Sequence, residues 1–197
     1  MDALEALLTR RSTRNYKPDP VEKEKIDRIL DVARQAPSGS NSQTNHFLVI
    51  QNQAVIRKLV TLTEQAFARM EADENTYSSL KHSISASKKG GYVFCYNAPL
   101  LIVVANRPGY GNNIADCACA IENMMVAANA IDLGSCWINQ LRWLNEEPTL
   151  VNCLLELGMK EYERVYGAVI IGYPDTEDGL PDRRLMTQKG NEVTWIP

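Results

Sequence analysis

Arg10-Arg11-Ser12-Thr13-Arg14-Asn15-Tyr16 is followed, one helix length later, by Pro37-Ser38-Gly39-Ser40-Asn41-Ser42-Gln43. The first stretch gathers three guanidiniums and two hydroxyls within five residues. Arginine forks match phosphate oxygens in pairs, and a phosphate monoester is close to dianionic at neutral pH. Arg10 and Arg14 share a face if the preceding helix continues that far. The second stretch is small and polar behind a proline. It leads into the strand-like Phe47-Leu48-Val49-Ile50. Amide side chains such as Asn41 and Gln43 serve both donor and acceptor edges of a ring, and Gly39 permits close backbone approach. The pair reads as a phosphate clamp followed by a loop that can lie against a flat heteroaromatic ring. Plainer readings stand beside it: a solvated basic helix end and an ordinary helix-to-strand loop.

The chain has 197 residues, 45% hydrophobic and 23% charged, which suits a single domain with a sizeable core. A net charge of −3 gives no reason to expect nucleic acid or an acidic membrane as partner. There is no signal-type segment at the start and no apolar run of about 18 residues. Cys95, Cys117, Cys119, Cys136 and Cys153 are odd in number and lack a CxxC spacing. They read as buried, reduced thiols of a cytoplasmic protein. Cys117 and Cys119 face apart on a helix, which argues against a metal site.

Hydrophobic periodicity predicts a first helix over 2–11 with Leu4, Leu7 and Leu8 on one face. Asp19, Pro20 and Glu22 form a helix-start signature for a second, whose stripe is Ile26, Ile29, Leu30 and Ala33. His46–Ile50 reads as a strand, and Asn52 as the cap of a third helix. Residues 71–91 are polar and read either as a lid over a site or as a solvated excursion. Leu100–Ala105 is a strand buried on both faces. Residues 114–131 are a buried helix, and Gly134 is its stop, with backbone N–H groups of Gly134, Ser135 and Cys136 open beyond it. Cys136–Ile138 and Val165–Tyr173 are strands, 147–157 a helix closed by Gly158, and Val193–Ile196 a small strand-like end. Arg183 and Arg184 form a second basic pair. Helices and strands interleave, so the class is α+β around a small mixed sheet flanked by helices.

Several chemistries lack their motifs: there is no GxSxG, Walker A or HExxH. Gly109-x-Gly111 lacks the third glycine of a dinucleotide fingerprint. Two histidines, His46 and His82, offer little for a metal site or a triad.

With the two opening stretches come Asn97-Ala98-Pro99 before a strand, an Ala-rich helix carrying Asp116 and Asn123, Leu133-Gly134-Ser135-Cys136-Trp137-Ile138, and Gly172-Tyr173-Pro174. In this order they resemble the FMN-dependent nitroreductase family over almost the whole chain. The resemblance implies a nitroreductase-like fold forming an intertwined homodimer with a swapped C-terminal segment, and FMN at the interface. It implies that Arg10, Ser12 and Arg14 hold the phosphate and ribityl end, with Arg11 as neighbour, Arg184 joining from the tail and Arg183 a helper. Ser38, Ser40, Asn41 and Gln43 would reach the ring from the partner chain, and the backbone of Gly134, Ser135 and Cys136 would face the flavin N5. No side chain is then catalytic, and no metal is implied. NADH or NADPH would reduce the flavin, and a small-molecule acceptor such as a nitroaromatic or quinone would reoxidise it, in ping-pong fashion.

The sequence departs from the family pattern in places. Asp182 stands where some relatives carry lysine, Thr44-Asn45 where many have Pro-Trp, and Tyr92–Tyr96 where larger relatives place an asparagine and a lysine. A specialised flavin enzyme of the same fold (a dehalogenase or flavin-fragmenting type) and a flavin-binding sensor are the alternatives.

Overall fold

The computed structural model describes residues 1–187 and 189–197. Four strands, β1 (His46–Ile50), β2 (Leu100–Asn106), β3 (Gly134–Ile138) and β4 (Arg164–Gly172), form one sheet in the order β1-β2-β4-β3. All three ladders are antiparallel. The one parallel contact among the described residues is an isolated bridge outside these ladders, between Ser12 and Ser135, so the sheet is antiparallel where a mixed one was expected.

Side chains alternate across the sheet, and each face carries its own core. Leu100, Ile102 and Val104 pack with α2 (Lys23–Arg34) and α5 (Asn113–Ala130), through Ile26, Ile29, Ile121 and Met124. Leu101 and Val103 face the other way, toward α3 (Gln53–Ala68) and α7 (Pro148–Glu156), where Leu59, Phe67, Leu150 and Leu154 lie. β2 is buried along its whole length, which is why its sequence is a continuous apolar run and does not alternate. Each Leu or Ile so buried contributes about 1.5–3 kcal/mol.

Local signals hold in several places. Asn52 Oδ1 accepts from Ala54 N and Val55 N at 2.9 and 3.3 Å. Helix α7 ends at Gly158 with φ 108°; the Gly158 and Met159 amides donate to Leu155 O and Leu154 O, both at 3.0 Å. That pair of bonds is a Schellman closure.

Other expectations are corrected. Helix α2 starts at Lys23, with Glu22 as cap and no side-chain bond; Asp19 does not cap it. Val21 is 2% exposed in the core, and its carbonyl accepts from Gln51 Nε2 at 2.8 Å, which keeps the approach extended. The first helix, α1 (Ala3–Thr9), stops at Thr9, and Leu4, Leu7 and Leu8 are exposed; Ala6 is its buried residue. Residues 71–91 contain a helix, α4 (Ser78–Lys89), anchored by buried Ile84. A short helix, α6 (Gln140–Trp143), escapes a period-based reading because it is a single turn. Gly134 opens β3, and the chain leaves α5 through Ile131 and Asp132, whose φ is 66°. Val193–Ile196 forms no strand: Val193, Trp195 and Ile196 are 73–89% exposed, and no strand among the described residues pairs with them.

Candidate functional site

The N-terminal segment leaves α1 in extended form and runs along the outer edge of β3. Thr13 N donates to Ser135 O at 2.9 Å, and Lys17 N to Tyr173 O at 2.9 Å. Tyr16 is buried, and its hydroxyl donates to Thr13 O at 2.6 Å. Burial drives the Tyr16 phenol far above its ordinary range, so it stays a neutral donor. The expected helical i,i+4 relation of Arg10 and Arg14 is therefore replaced by an extended one. Alternation still puts Arg10, Ser12 and Arg14 on one side. All three act on the same neighbour: burial raises the Cys136 thiol pKa, while the charges of Arg14 and Arg10 and a hydrogen bond with Ser12 oppose the rise.

This edge is held by close approach. A Cβ on Gly134 would lie 2.6–2.7 Å from three side-chain atoms of Thr13. Gly134, Ser135 and Cys136 are buried, with Ser135 at 2% exposure. The backbone of Gly134 and Ser135 is enclosed between β4 and the N-terminal segment. The part of this strand and its exit that borders open space runs from Cys136 to Gln140. These residues line a cleft of about 220 Å³ together with Arg14, His82 and Tyr92.

One hydrogen-bond chain stiffens that cleft. Trp137 Nε1 donates to Asn139 Oδ1 at 2.9 Å, and Asn139 N donates to Gln140 Oε1 at 3.1 Å. Gln140 Nε2 donates to the Tyr92 hydroxyl at 2.9 Å. Ser83 Oγ donates to Ser79 O at 3.1 Å, so it accepts from Tyr92, 2.9 Å away. Tyr92 thus ties α4 to the exit of β3, and the polar 71–91 stretch becomes a wall of the cleft. Sequence reading missed Tyr92 and Gln140, whose roles depend on partners 48 positions apart.

The arginines divide. Arg10 Nε and Arg11 Nη2 are buried without a hydrogen-bond partner. Arg10 Nε does lie 3.3 Å from Glu122 Oε1, an ion pair without hydrogen-bond alignment. Unpaired buried guanidinium N–H groups are costly, and beside Ser12 they suit an oxyanion. Arg11 also donates through Nη1 to Arg10 O at 2.6 Å. Arg183 is committed to the end of α5: it donates to Asn129 O and to Asp132 Oδ1, each at 2.6 Å. Arg184 pairs with Asp182 at 2.7 Å, with 88% of its side chain exposed. That partner holds the Asp182 carboxyl down at about 2. Among the described residues no hydrogen bond or ion pair joins Arg183 or Arg184 to Arg10, Ser12 or Arg14.

The second opening stretch lies apart, by α5. Ser40, Asn41 and Gln43 have φ of 52°, 53° and 49°. Left-handed backbone costs about 1–2 kcal/mol per residue away from glycine, so this loop is strained. Its tip is polar and exposed, with Gln43 Nε2 donating to Asn41 Oδ1 at 2.9 Å. No hydrogen bond among the described residues joins Ser38–Gln43 to Arg10–Arg14. A cavity of about 380 Å³ lies beside Ser38 and Gln43, with His46 on its wall. His46 Nδ1 is 2.7 Å from Glu163 Oε2, a contact with a buried carboxylate that accounts for this histidine. Among the described residues, no three His, Cys, Asp or Glu side chains are grouped to hold a metal, and no helix is long and apolar enough to cross a membrane.

Comparison with known proteins adds three findings. A family described as Nitroreductase family matches residues 7–173. A protein of Archaeoglobus fulgidus named "Putative NADH dehydrogenase/NAD(P)H nitroreductase" is 30% identical over 197 residues, covering 98% of this chain and 99% of its own. Among solved structures, a nitroreductase with bound FMN from Bacteroides fragilis superposes with a TM-score of 0.87. It is 33% identical, with both chains fully covered.

Proposed function

The chain belongs to the nitroreductase family, and from that premise we propose that it is a cytoplasmic, homodimeric, FMN-dependent oxidoreductase. It takes hydride from NADH or NADPH and reduces nitroaromatic, quinone or similar small acceptors. The observation that carries the reading is the triplet Arg10, Ser12 and Arg14 on one side of an extended segment, with the adjoining Arg11 Nη2 buried without a partner and Arg10 Nε held only by an unaligned ion pair with Glu122.

That arrangement fits a phosphate. Arg10 and Arg14 would supply the charge and Ser12 a hydroxyl, with Arg11 adjoining. Arg184 is the tail arginine whose guanidinium faces solvent, so it can turn from Asp182 toward an anion, while Arg183 stays on α5. Ser38, Ser40, Asn41 and Gln43 would meet the ring of the flavin held mainly by the partner chain, consistent with their exposure and their separation from the clamp. The exposed apolar side chains of α1 and of the tail, Leu185, Met186, Trp195 and Ile196 among them, support such an intertwined dimer.

Bound flavin would supply the redox centre. The chain supplies position. The backbone of Gly134, Ser135 and Cys136 would face the flavin N5, with Cys136 on the cleft wall, and Asn139 and Gln140, fixed through Tyr92, would add amide groups at the strand exit. The aromatic walls of Tyr92, Trp137 and Trp143 exclude water and admit a flat acceptor. Among the described residues no carboxylate lines this cleft, and Arg14 sets a positive charge at its wall, so an electron-rich acceptor oxygen meets no fixed negative charge there.

The test is anaerobic. Purified protein loaded with FMN should bleach on adding NADH or NADPH and recolour with a nitroaromatic or quinone, and initial rates should give parallel double-reciprocal lines. A protein that stays colourless after incubation with FMN refutes the reading.

A further inference from the structure

The strained Ser38–Gln43 loop is held from outside by two residues that touch no proposed ligand. Asp116 lies in the first turn of α5, is 4% exposed, and accepts the Gly39 N–H on both oxygens at 3.2 and 3.3 Å. The Tyr110 hydroxyl lies 2.9 Å from Asp116 Oδ2, 3.1 Å from Gly39 O and 2.8 Å from Ser42 Oγ. A phenol has one proton, and the charged oxygen is the stronger and nearer acceptor, so Tyr110 donates to Asp116 and receives from Ser42. Asn45 Nδ2 closes the other end of the loop by donating to Asp116 O at 3.0 Å. A Cβ on Gly39 would lie 2.0 Å from Asn112 Nδ2 and 2.6 Å from the Tyr110 hydroxyl, so the anchor is pressed against the loop backbone.

We propose that Asp116 and Tyr110 are positioning residues: they lock the loop in its left-handed form, and thereby aim Ser40, Asn41 and Gln43 at the flavin ring. The inference rests on the flavin reading above. The loop's own bonds, Asn41 N to Ser38 O at 2.9 Å and Gln43 N to Ser38 Oγ at 3.1 Å, set its turns but not its place relative to α5. Three residues with positive φ persist only where surrounding contacts over-determine them. Here those contacts converge on one buried carboxylate and one phenol. The loop tip buries little apolar surface, so releasing it costs flavin contacts rather than global stability.

FMN dissociation from the full chain is measured by flavin fluorescence for wild type, Tyr110→Phe, Ser42→Ala and Arg14→Ala, with visible circular dichroism of the bound ring and melting of the flavin-free protein. Tyr110→Phe should weaken FMN about tenfold, as for one lost hydrogen bond to a charged group. It should also alter the visible dichroic bands, while the flavin-free melting temperature falls by no more than about 6 °C, the share of one such bond. Ser42→Ala should give the same signature at about threefold, and it decides the matter should Tyr110→Phe fold poorly. Wild-type affinity and wild-type bands in both variants would overturn the inference alone, and so would a fall in melting temperature with unchanged bands. Failure of wild type itself to take up FMN would overturn the flavin reading and this inference together.

Discussion

Replacing Gly134 by alanine tests how the clamp is built. The added methyl would meet Thr13 Oγ1, Cβ and Cγ2 at 2.6–2.7 Å, well inside van der Waals contact. The Thr13 atoms are not a free end: its amide is bonded to Ser135 O at 2.9 Å, and its carbonyl takes the Tyr16 hydroxyl at 2.6 Å. The segment must therefore back away from β3. Overpacking of this kind costs about 1–3 kcal/mol, and stretching the Thr13–Ser135 bond adds about 1 kcal/mol. Together that is about 2–4 kcal/mol, which for a domain of this size lowers the melting temperature by roughly 5–15 °C. The same displacement moves Arg10, Ser12 and Arg14, so FMN should bind at least about tenfold more weakly. The assay is differential scanning fluorimetry of the flavin-free protein with flavin fluorescence titration beside it. Thr13→Gly removes all three clashing atoms, so the double variant should recover most of the lost affinity. A Gly134→Ala protein that melts and binds FMN like wild type would refute the account of the edge, and so would a double variant no better than the single.

Arg14→Ala should weaken FMN retention about tenfold or more, while Lys89→Ala, at an exposed helix end, should leave it unchanged within about twofold; flavin titration of both variants decides. Burial pushes the Cys95 thiol to about 11 and that of Cys117 to about 12. At pH 8 both should resist iodoacetamide until the protein is unfolded, whereas half-exposed Cys119 should label first by mass spectrometry. Two of the three tryptophans, Trp137 and Trp143, line the cleft, and the third, Trp195, is 88% exposed on the tail. A nitroaromatic such as 4-nitrobenzoate should quench most of the intrinsic fluorescence at saturation in a Trp195→Phe variant, and far less in Trp143→Phe.

The segments that carry the fold were legible wherever one face of one element decided the matter. His46–Ile50 reads as a strand and is one. Leu100–Ala105 reads as buried on both faces because no polar residue interrupts it, and it lies at the centre of the sheet. Asn52 and Gly158 announce a cap and a closure through purely local bonds. Legibility failed where a distant contact outbid a local signal. Asp19-Pro20 is a good helix start, yet Gln51 and the core hold Val21 extended. Within the polar 71–91 stretch Ser78–Lys89 is helical because Ile84 and Leu80 pack on the core, Tyr77 meets Trp143 and Ser83 bonds Tyr92, marks too sparse for periodicity to find. Gly134 reads as a helix stop, but its missing side chain serves Thr13 across the sheet edge.

By itself the sequence determined which residues are available for chemistry: the arginines and hydroxyls of 10–14, the amides of 38–43, and no motif for metal or triad catalysis. These follow from side-chain identity and short spacing, which the chain carries in one dimension. Only the tertiary structure decided how they are deployed. It set Arg10, Ser12 and Arg14 on one side of an extended edge, not on a helix. It buried Gly134 and Ser135 between β4 and the N-terminal segment and set Cys136 beside Trp137, Asn139 and Gln140 on the cleft wall. It hung the Ser38–Gln43 loop from Asp116 and Tyr110, more than 70 positions along the chain in each case. The physical reason is that a backbone donor or a buried carboxylate is satisfied by whatever the packed core brings within 3 Å or so, and that depends on how the helices cross the sheet rather than on neighbours in sequence.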